Sequence, residues 1–218
     1  GVTIDYWDEN HKQSRRINAK AAIIATPQFI SSRIVKGGEI SSDGFTYAPW
    51  AVANITLSAM PQGEGAPLSW DNVVYQSELL GYVVATHQQL RQKPIETVIT
   101  YYWPLNHKSP AEARQDALSR PYHEWRDKFM GELLKIHPEL KGKVKRVDVW
   151  LWGHAMIRPT PGFIWGEARS NAARQTPPIF TAHSDMSGIS IFEEAYTRGT
   201  RAAELTLAHL GIKFKSRL

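Results

Sequence analysis

The segment from residue 178 to residue 203 constrains the fold more than any other part of this chain. It starts with an apolar run, passes Asp185 and a loop that contains Gly188, and then takes on helical spacing. The helical part carries small residues on one face, at Ala195, Gly199, Ala202 and Ala203. Since small residues let a helix pack closely against a sheet, this pattern predicts a strand, a loop and a helix that covers the strand.

A carboxylate beside a helix N-terminus is suited to a cofactor site. The unpaired backbone N–H groups and the positive end of the helix dipole favour an electron-rich ligand. A side chain such as Asp185 can also accept hydrogen bonds from a sugar or a sugar alcohol. Ordinary strand-loop-helix connections show the same spacing, so the residues alone leave both interpretations open.

The segment resembles the C-terminal FAD-contacting motif of the flavin amine oxidases and their relatives. That motif follows an apolar strand with Phe-Ala-Gly-x-Glu/Asp, then Glu-Gly-Ala, then Ser-Gly-x-x-Ala-Ala, and the matching residues here are 181–185, 193–195 and 198–203. Residues 19–27 resemble the strand that returns to the FAD domain. Residues 149–154 and 159–162 occupy the place of the Trp-containing strand and the Pro-Gly turn. These anchors lie in the right order and cover most of the chain.

The resemblance implies an α+β chain. It implies a mixed β-sheet substrate-binding domain with packed helices at 36–165. An incomplete, Rossmann-like FAD-binding domain would be supplied by residues 1–35 and by the C-terminal strand and helix at 166–218. The implied function is an FAD-dependent oxidoreductase, with hydride transfer from an amine or a related small-molecule donor to FAD. Two alternatives stay open, a desaturase-like or isomerase-like FAD relative and a non-catalytic binding protein that keeps the fold.

The resemblance also assigns candidate site residues. The cofactor-binding candidates are Ala25, Thr26, Pro27, Ser184, Asp185, Ser190, Ile191 and Phe192, with Asp185 on the ribityl chain. Asn54 falls where many amine oxidases carry a lysine that holds a water near flavin N5. Trp152 and His154 are candidates for the aromatic wall of the substrate cavity, and a place in the sheet core is the alternative for Trp152.

Two features depart from the family pattern. His183 and Glu194 replace motif glycines, which narrows the space for backbone to approach a flavin. No Gly-x-Gly-x-x-Gly dinucleotide fingerprint is present, because the only Gly-x-Gly, at 63–65, is followed by Ala-Pro-Leu and indicates a loop. We therefore expect the chain to be the C-terminal half of a longer polypeptide. We also expect it to lack FAD without its N-terminal partner half.

Composition excludes several other classes of function. The chain has no cysteine, so disulfides and cysteine-ligated metals are impossible, and its eight histidines lack metal-ligand spacing. The net charge of +5 comes from scattered residues with short clusters at 141–146 and 213–217, which are typical of solvated faces and not of a nucleic-acid site. No apolar run reaches the roughly 18 residues of a membrane span. The compartment stays open, with a slight preference for the cytoplasm.

Local patterns predict the remaining elements. Runs rich in β-branched and aromatic residues predict strands at 52–59, 82–86, 97–103 and 144–152. Ser109, Pro110 and Glu112 form a capping box with proline at the first helical position, which predicts a helix start. An apolar stripe at helical spacing from Tyr122 to Ile136, ended by His137-Pro138, predicts a second helix packed against a sheet.

Overall fold

A computed structural model describes residues 1–37, 40–63, 67–88, 90 and 95–218, so Gly65 of the Gly-x-Gly sequence lies outside the described residues. The chain divides into two units. Unit 1 contains residues 1–46 and 156–218, and unit 2 contains residues 47–155. The boundaries between the units lie between residues 46 and 47 and between residues 155 and 156. The sequence predicts the domain boundaries between residues 35 and 36 and between residues 165 and 166. Within the described part, no helix has the length and apolar character needed to cross a membrane.

The fold is a mixed α+β arrangement. The strands are β1 Val2–Asp8, β2 Gln13–Ala19, β3 Ala22–Ile24, β4 Tyr47–Leu57, β5 Asp71–Asn72, β6 Gly81–Val84, β7 Thr97–Pro104, β8 Val144–Ile157 and β9 Ile179–Thr181. The α-helices are α1 Gln28–Ile34, α2 Pro110–Ser119, α3 Tyr122–Ile136, α4 Glu167–Ala172 and α5 Phe192–His209. Short 3-10 helices occur at Ala85–Gln88, Pro138–Leu140 and Ser184–Ser187.

The predicted starts of α2 and α3 are confirmed. Ser109 Oγ accepts from Glu112 N at 3.4 Å, and Glu112 Oε2 accepts from Ser109 N at 3.1 Å, which completes the capping box. Pro121 precedes α3, which ends at Ile136 before His137-Pro138 as the sequence indicates. The strand predicted at 144–152 is also confirmed, and it extends further than expected, to Ile157.

Unit 2 is built on a five-stranded sheet in the order β5-β6-β7-β4-β8. Neighbours β4 and β7 are antiparallel, with Asn54 opposite Thr100. Alternate residues of β4 are fully buried on the face covered by α2 and α3, because a strand turns successive side chains to opposite faces. The core residues with no exposed surface include Ile55, Leu57, Ile99, Tyr101, Phe129 and Leu133.

A buried polar contact lies at the edge of this core. Tyr82 Oη and His137 Nε2 are 2.6 Å apart, and His137 Nδ1 lies 3.1 Å from Glu139 Oε1. Burial, with the Glu139 charge acting in the same direction, raises the pKa of Tyr82 to about 12. Burial also raises the pKa of the Tyr101 phenol. Both phenols are therefore held neutral far into the alkaline range.

Unit 1 contains a β1–β2 hairpin and the short parallel pair β3–β9, against which α5 packs. Three residues are buried in this part of unit 1: Phe180 of β9, Met186 of the following 3-10 helix, and Ala202 of α5. The strand-loop-helix prediction is thus confirmed, but its small-residue face is only partly right. Ala195 and Ala203 are exposed, and a Cβ added to Gly199 would meet nothing within 4 Å. Ala202 is the small residue of α5 that is buried. The turn of the helix directs the other small residues away from the strands.

Candidate functional site

The carboxyl ends of β3 and β9 meet at one edge of unit 1. Ala22 N donates to Pro178 O at 3.0 Å and Ala182 N donates to Ile24 O at 2.8 Å, so the two strands run side by side in the same direction. Residues 25–27 follow the first strand, and residues 182–185 follow the second. In open α/β sheets, ligands bind outside the carboxyl ends of parallel strands. The candidates Ala25, Thr26, Pro27, Ser184 and Asp185 accordingly come from the two segments that leave this edge.

Asp185 is 1% exposed and binds backbone across the edge. Its Oδ2 accepts from Gln28 N, the first N–H of α1, at 2.8 Å. The sequence predicts Asp185 beside the N-terminus of α5, the helix that follows it. The structure also shows its carboxylate at the N-terminus of α1, where its partner Gln28 lies 157 residues earlier in the sequence. A contact so distant in sequence leaves no local pattern to find.

Gln28, which the sequence patterns did not single out, borders a cavity of about 320 Å³ whose lining includes residues of α1, α4 and β9. Its side chain is 2% exposed, and its Nε2 donates to Ser41 O at 2.8 Å. Its Oε1 has no hydrogen-bond partner in the part of the chain that the structure describes. Thr181 and Gln175 border the same cavity. A buried acceptor without a partner is suited to a ligand with O–H or N–H donors, because such a ligand offsets the cost of leaving that acceptor desolvated.

The N-terminus of α5 lies close in sequence to Asp185. Ile191 occupies the N-cap position, which provides no side-chain hydrogen bond to the first turn. Ile191 and Phe192 are exposed, at 47% and 77%. Ser190 Oγ accepts from Ile157 N at 3.1 Å and so holds the loop that leads into the helix. The first-turn N–H groups are therefore open to an acceptor, next to two exposed apolar side chains.

Within unit 2, Asn54 lies on the sheet face opposite the helices. It is half-buried, and its Oδ1 accepts from Thr100 Oγ1 on the neighbouring strand at 2.8 Å. Val147 and Val149 of the adjacent strand β8 pack on the core, so alternation turns Trp152 and His154 away from it. Trp152 is 57% exposed, which argues against the sheet-core alternative for its ring.

Trp152 and His154 also border an apolar cavity of about 220 Å³ beside α2. Its other lining residues include Trp50, Arg114 and Leu118. The His154 ring lies edge-on to Tyr47, with 6.0 Å between ring centroids. Trp152 and His154 thus border the same cavity, which Asn54 does not line. Its aromatic and aliphatic lining is suited to a small apolar group.

Within the described ranges, no group of three or more His, Asp or Glu side chains is arranged to hold a metal ion.

Comparisons with known proteins add a likeness of fold. No protein-family model and no curated protein matches the chain. Solved structures that match include a protein assigned as a protoporphyrinogen oxidase from Exiguobacterium, with a TM-score of 0.61 and 13% identity over 91% of this chain. Cyclohexylamine oxidase from Brevibacterium oxydans matches with a TM-score of 0.64 and 11% identity over 92% of the chain. A Pyrococcus furiosus protein matches with a TM-score of 0.53, 12% identity and 93% coverage.

The chain spans less than half of each of these three solved structures, between 43% and 45% of their lengths. At these identities the likeness is one of fold. Its mixed sheets and helices are similar to parts of larger oxidases.

Proposed function

We propose that this chain is the C-terminal part of an FAD-dependent oxidoreductase that takes a hydride from an amine or a related donor. The observation that carries the proposal is the carboxyl edge of β3 and β9, where the buried Asp185 carboxylate accepts from Gln28 N. Gln28 in turn borders a cavity, and its buried Oε1 has no partner among the described residues. The sequence resemblance to flavin amine oxidases and the fold likeness to two proteins named as oxidases support it.

The residues of unit 1 fit the flavin end of FAD. When bound, FAD supplies the redox step as the hydride acceptor. Gln28 and Asp185 would accept hydrogen bonds from the ribityl hydroxyls, and Ala25, Thr26 and Pro27 would border the cofactor channel. The open N–H groups at the start of α5 would donate to the electron-rich pyrimidine edge. Ile191 and Phe192, both exposed here, would shield that edge from water.

Unit 2 would hold the substrate. Trp152 and His154 would form part of an aromatic wall that positions an apolar donor. Asn54, whose Oδ1 accepts from Thr100 Oγ1, would put a neutral amide where many amine oxidases carry a lysine. This observation favours the second candidate function, an FAD-dependent desaturase-like or isomerase-like relative in which oxygen is not the electron acceptor.

The test uses the polypeptide that contains this chain together with its upstream half. The purified protein should carry FAD, and anaerobic addition of cyclohexylamine or a related amine should bleach the flavin absorbance. Trp152→Ala should slow that bleaching at least tenfold, while Trp165→Ala, a matched change at a 90% exposed position outside the apolar cavity, should not.

A protein that binds no flavin contradicts the proposal. A flavin that no amine reduces favours the second candidate, and Asn54→Lys should then accelerate reoxidation by oxygen.

A further inference from the structure

Four arginines border a second cavity in unit 1, of about 490 Å³, formed by α4, the residues that follow it, and α5. They are Arg169, Arg174, Arg198 and Arg201. Among the residues that the structure describes, none of the four forms an ion pair with a carboxylate. The cavity therefore concentrates positive charge that nearby acids do not pair with directly.

Two of these guanidinium groups are held in place by hydrogen bonds to other residues of the chain. Arg169 donates through Nη1 to Met186 O at 2.8 Å, and through Nε to the Ile164 carbonyl. Arg198 donates through Nε to Ser187 Oγ at 2.7 Å. Each guanidinium carries five N–H donors, so both retain donors beyond those bonds. Fixing a side chain in advance lowers the entropy that ligand binding would otherwise cost.

The other two arginines have open donors. Arg174 and Arg201 are exposed and make no side-chain hydrogen bond within the described residues. Ser170 and Gln175 line the same cavity, but their side chains already donate to Gly166 O and to Thr181. The open donors of the cavity are therefore the N–H groups of the arginines.

The positive charges of the arginines in this cavity repel one another. Burial lowers the pKa of Arg198 below its ordinary value, and the positive charges of Arg169 and Arg201 act in the same direction, although Glu194 opposes them. Like charges held together at partly buried positions destabilise the fold unless an anion neutralises them. An anionic ligand would relieve this repulsion.

We propose that the cavity lined by these four arginines binds the phosphate groups of a small phosphorylated ligand. The planar fork of a guanidinium matches the oxygens of phosphate, to which it donates two parallel hydrogen bonds. Several converging cations match a ligand with two or more negative charges better than a single carboxylate. The proposal concerns the described chain alone and does not depend on a flavin.

Isothermal titration calorimetry of this chain with inorganic pyrophosphate tests the proposal. We expect saturable binding of one pyrophosphate per chain and a rise in the melting temperature as the ligand is added. Arg201→Gln and Arg174→Gln should each weaken the affinity about tenfold, since each removes one charged hydrogen-bond donor set. Arg201→Lys should weaken it less, because it keeps the charge and loses the fork. Circular dichroism confirms that each variant is folded.

Arg33→Gln is the matched control, because Arg33 is an exposed arginine of unit 1 that does not line the cavity. It should change the affinity less than twofold. Absence of saturable binding would overturn the proposal. An equal loss of affinity in Arg33→Gln would also overturn it, because the attraction would then come from net charge and not from a built site.

Discussion

Asp185 has a structural role in the described chain that can be measured without any cofactor. Its carboxylate accepts from the buried N–H of Gln28, which would otherwise lack a partner at the start of α1. Asp185→Ala should lower the free energy of unfolding of the chain by about 1 to 3 kcal/mol, since a buried donor is left unsatisfied. Asp185→Asn should cost less, because the amide oxygen can still accept. Urea denaturation followed by circular dichroism measures both.

The control for this prediction is Asp43→Ala, which removes an exposed carboxylate from the same unit. It should change stability by less than about 0.5 kcal/mol. Equal stability of Asp185→Ala and Asp43→Ala would show that the α1 contact contributes nothing. The proposed cofactor role needs a separate measurement. If Asp185 binds a ribityl hydroxyl in a longer protein that carries FAD, Asp185→Ala should weaken FAD retention there by about 10- to 150-fold.

Tyr82 makes the stability of the chain depend on alkaline pH. Its pKa is about 12 in the folded chain against 10.0 ordinarily, so the unfolded chain releases the phenol proton first. The free energy of unfolding should therefore fall as pH rises from about 10 to about 12, with a slope of about 1.4 kcal/mol per pH unit from this group. Burial of Tyr101 acts in the same direction.

Tyr82→Phe tests this prediction by removing the phenol. The variant should be less stable at pH 8, by about 1 kcal/mol, because its hydrogen bond with His137 is lost. Its stability should then fall less steeply above pH 10. Tyr75→Phe, at an 88% exposed position, should change neither quantity. An unchanged alkaline slope in Tyr82→Phe would refute the assignment.

At the level of single elements, the capping box of α2 is the clearest local determinant. Ser109→Ala removes the acceptor for Glu112 N and should destabilise the chain by about 1 kcal/mol. Ser119→Ala is the matched control, because Ser119 Oγ bonds only the Asp116 carbonyl near the exposed end of the same helix. It should cost no more than a few tenths of that amount. Thermal melting of the two variants side by side decides whether the cap stabilises the helix.

Elements with local signals could be predicted, and those that depend on distant contacts could not. The proline and capping box of α2, and the apolar stripe of α3, lie within a few residues of the structure they produce. The short helices α1 and α4 have no side-chain N-cap, so the local sequence gives no signal that predicts where they start. Part of the N-terminal support of α1 is Asp185, far away in the sequence.

The candidate site divides in the same way. The Trp152 and His154 pair could be placed on one face because strand alternation is a local rule. The partnerless Oε1 of Gln28 and the convergence of Arg174 with Arg201 follow from how distant segments pack. No spacing in the sequence encodes those two features.

At the scale of the whole molecule, unit 2 is one continuous segment with its own core. Residues 47–155, expressed alone, should fold cooperatively, because α2, α3, the buried core and all of the sheet except the last two residues of β8 lie inside that range. Phe129→Ala in this fragment should cost about 3 to 5 kcal/mol, whereas Leu118→Ala, at an 81% exposed position, should cost little. A fragment without near-ultraviolet circular dichroism or a cooperative urea transition would contradict this.

FAD affinity of the whole chain is a further test at this scale. The contacts proposed above reach only the flavin end of FAD, and the sequence has no glycine fingerprint for the pyrophosphate. We therefore expect FAD to bind this chain weakly, with a dissociation constant above about 1 µM. Fluorescence quenching measures it. Stoichiometric binding below that concentration would mean that the residues here suffice to retain the cofactor.

The parallel pairing of β3 with β9 has a consequence for the order of events during protein synthesis. The ribosome releases β3 early, but its partner strand and Asp185 emerge only after the intervening segment has been translated. At about 5 to 20 residues per second, the first strand waits for about 8 to 30 seconds with its hydrogen-bonding edge open. The continuous segment 47–155 can fold during that interval. Its prior folding would shorten the loop that the late strand must close and so speed the final pairing.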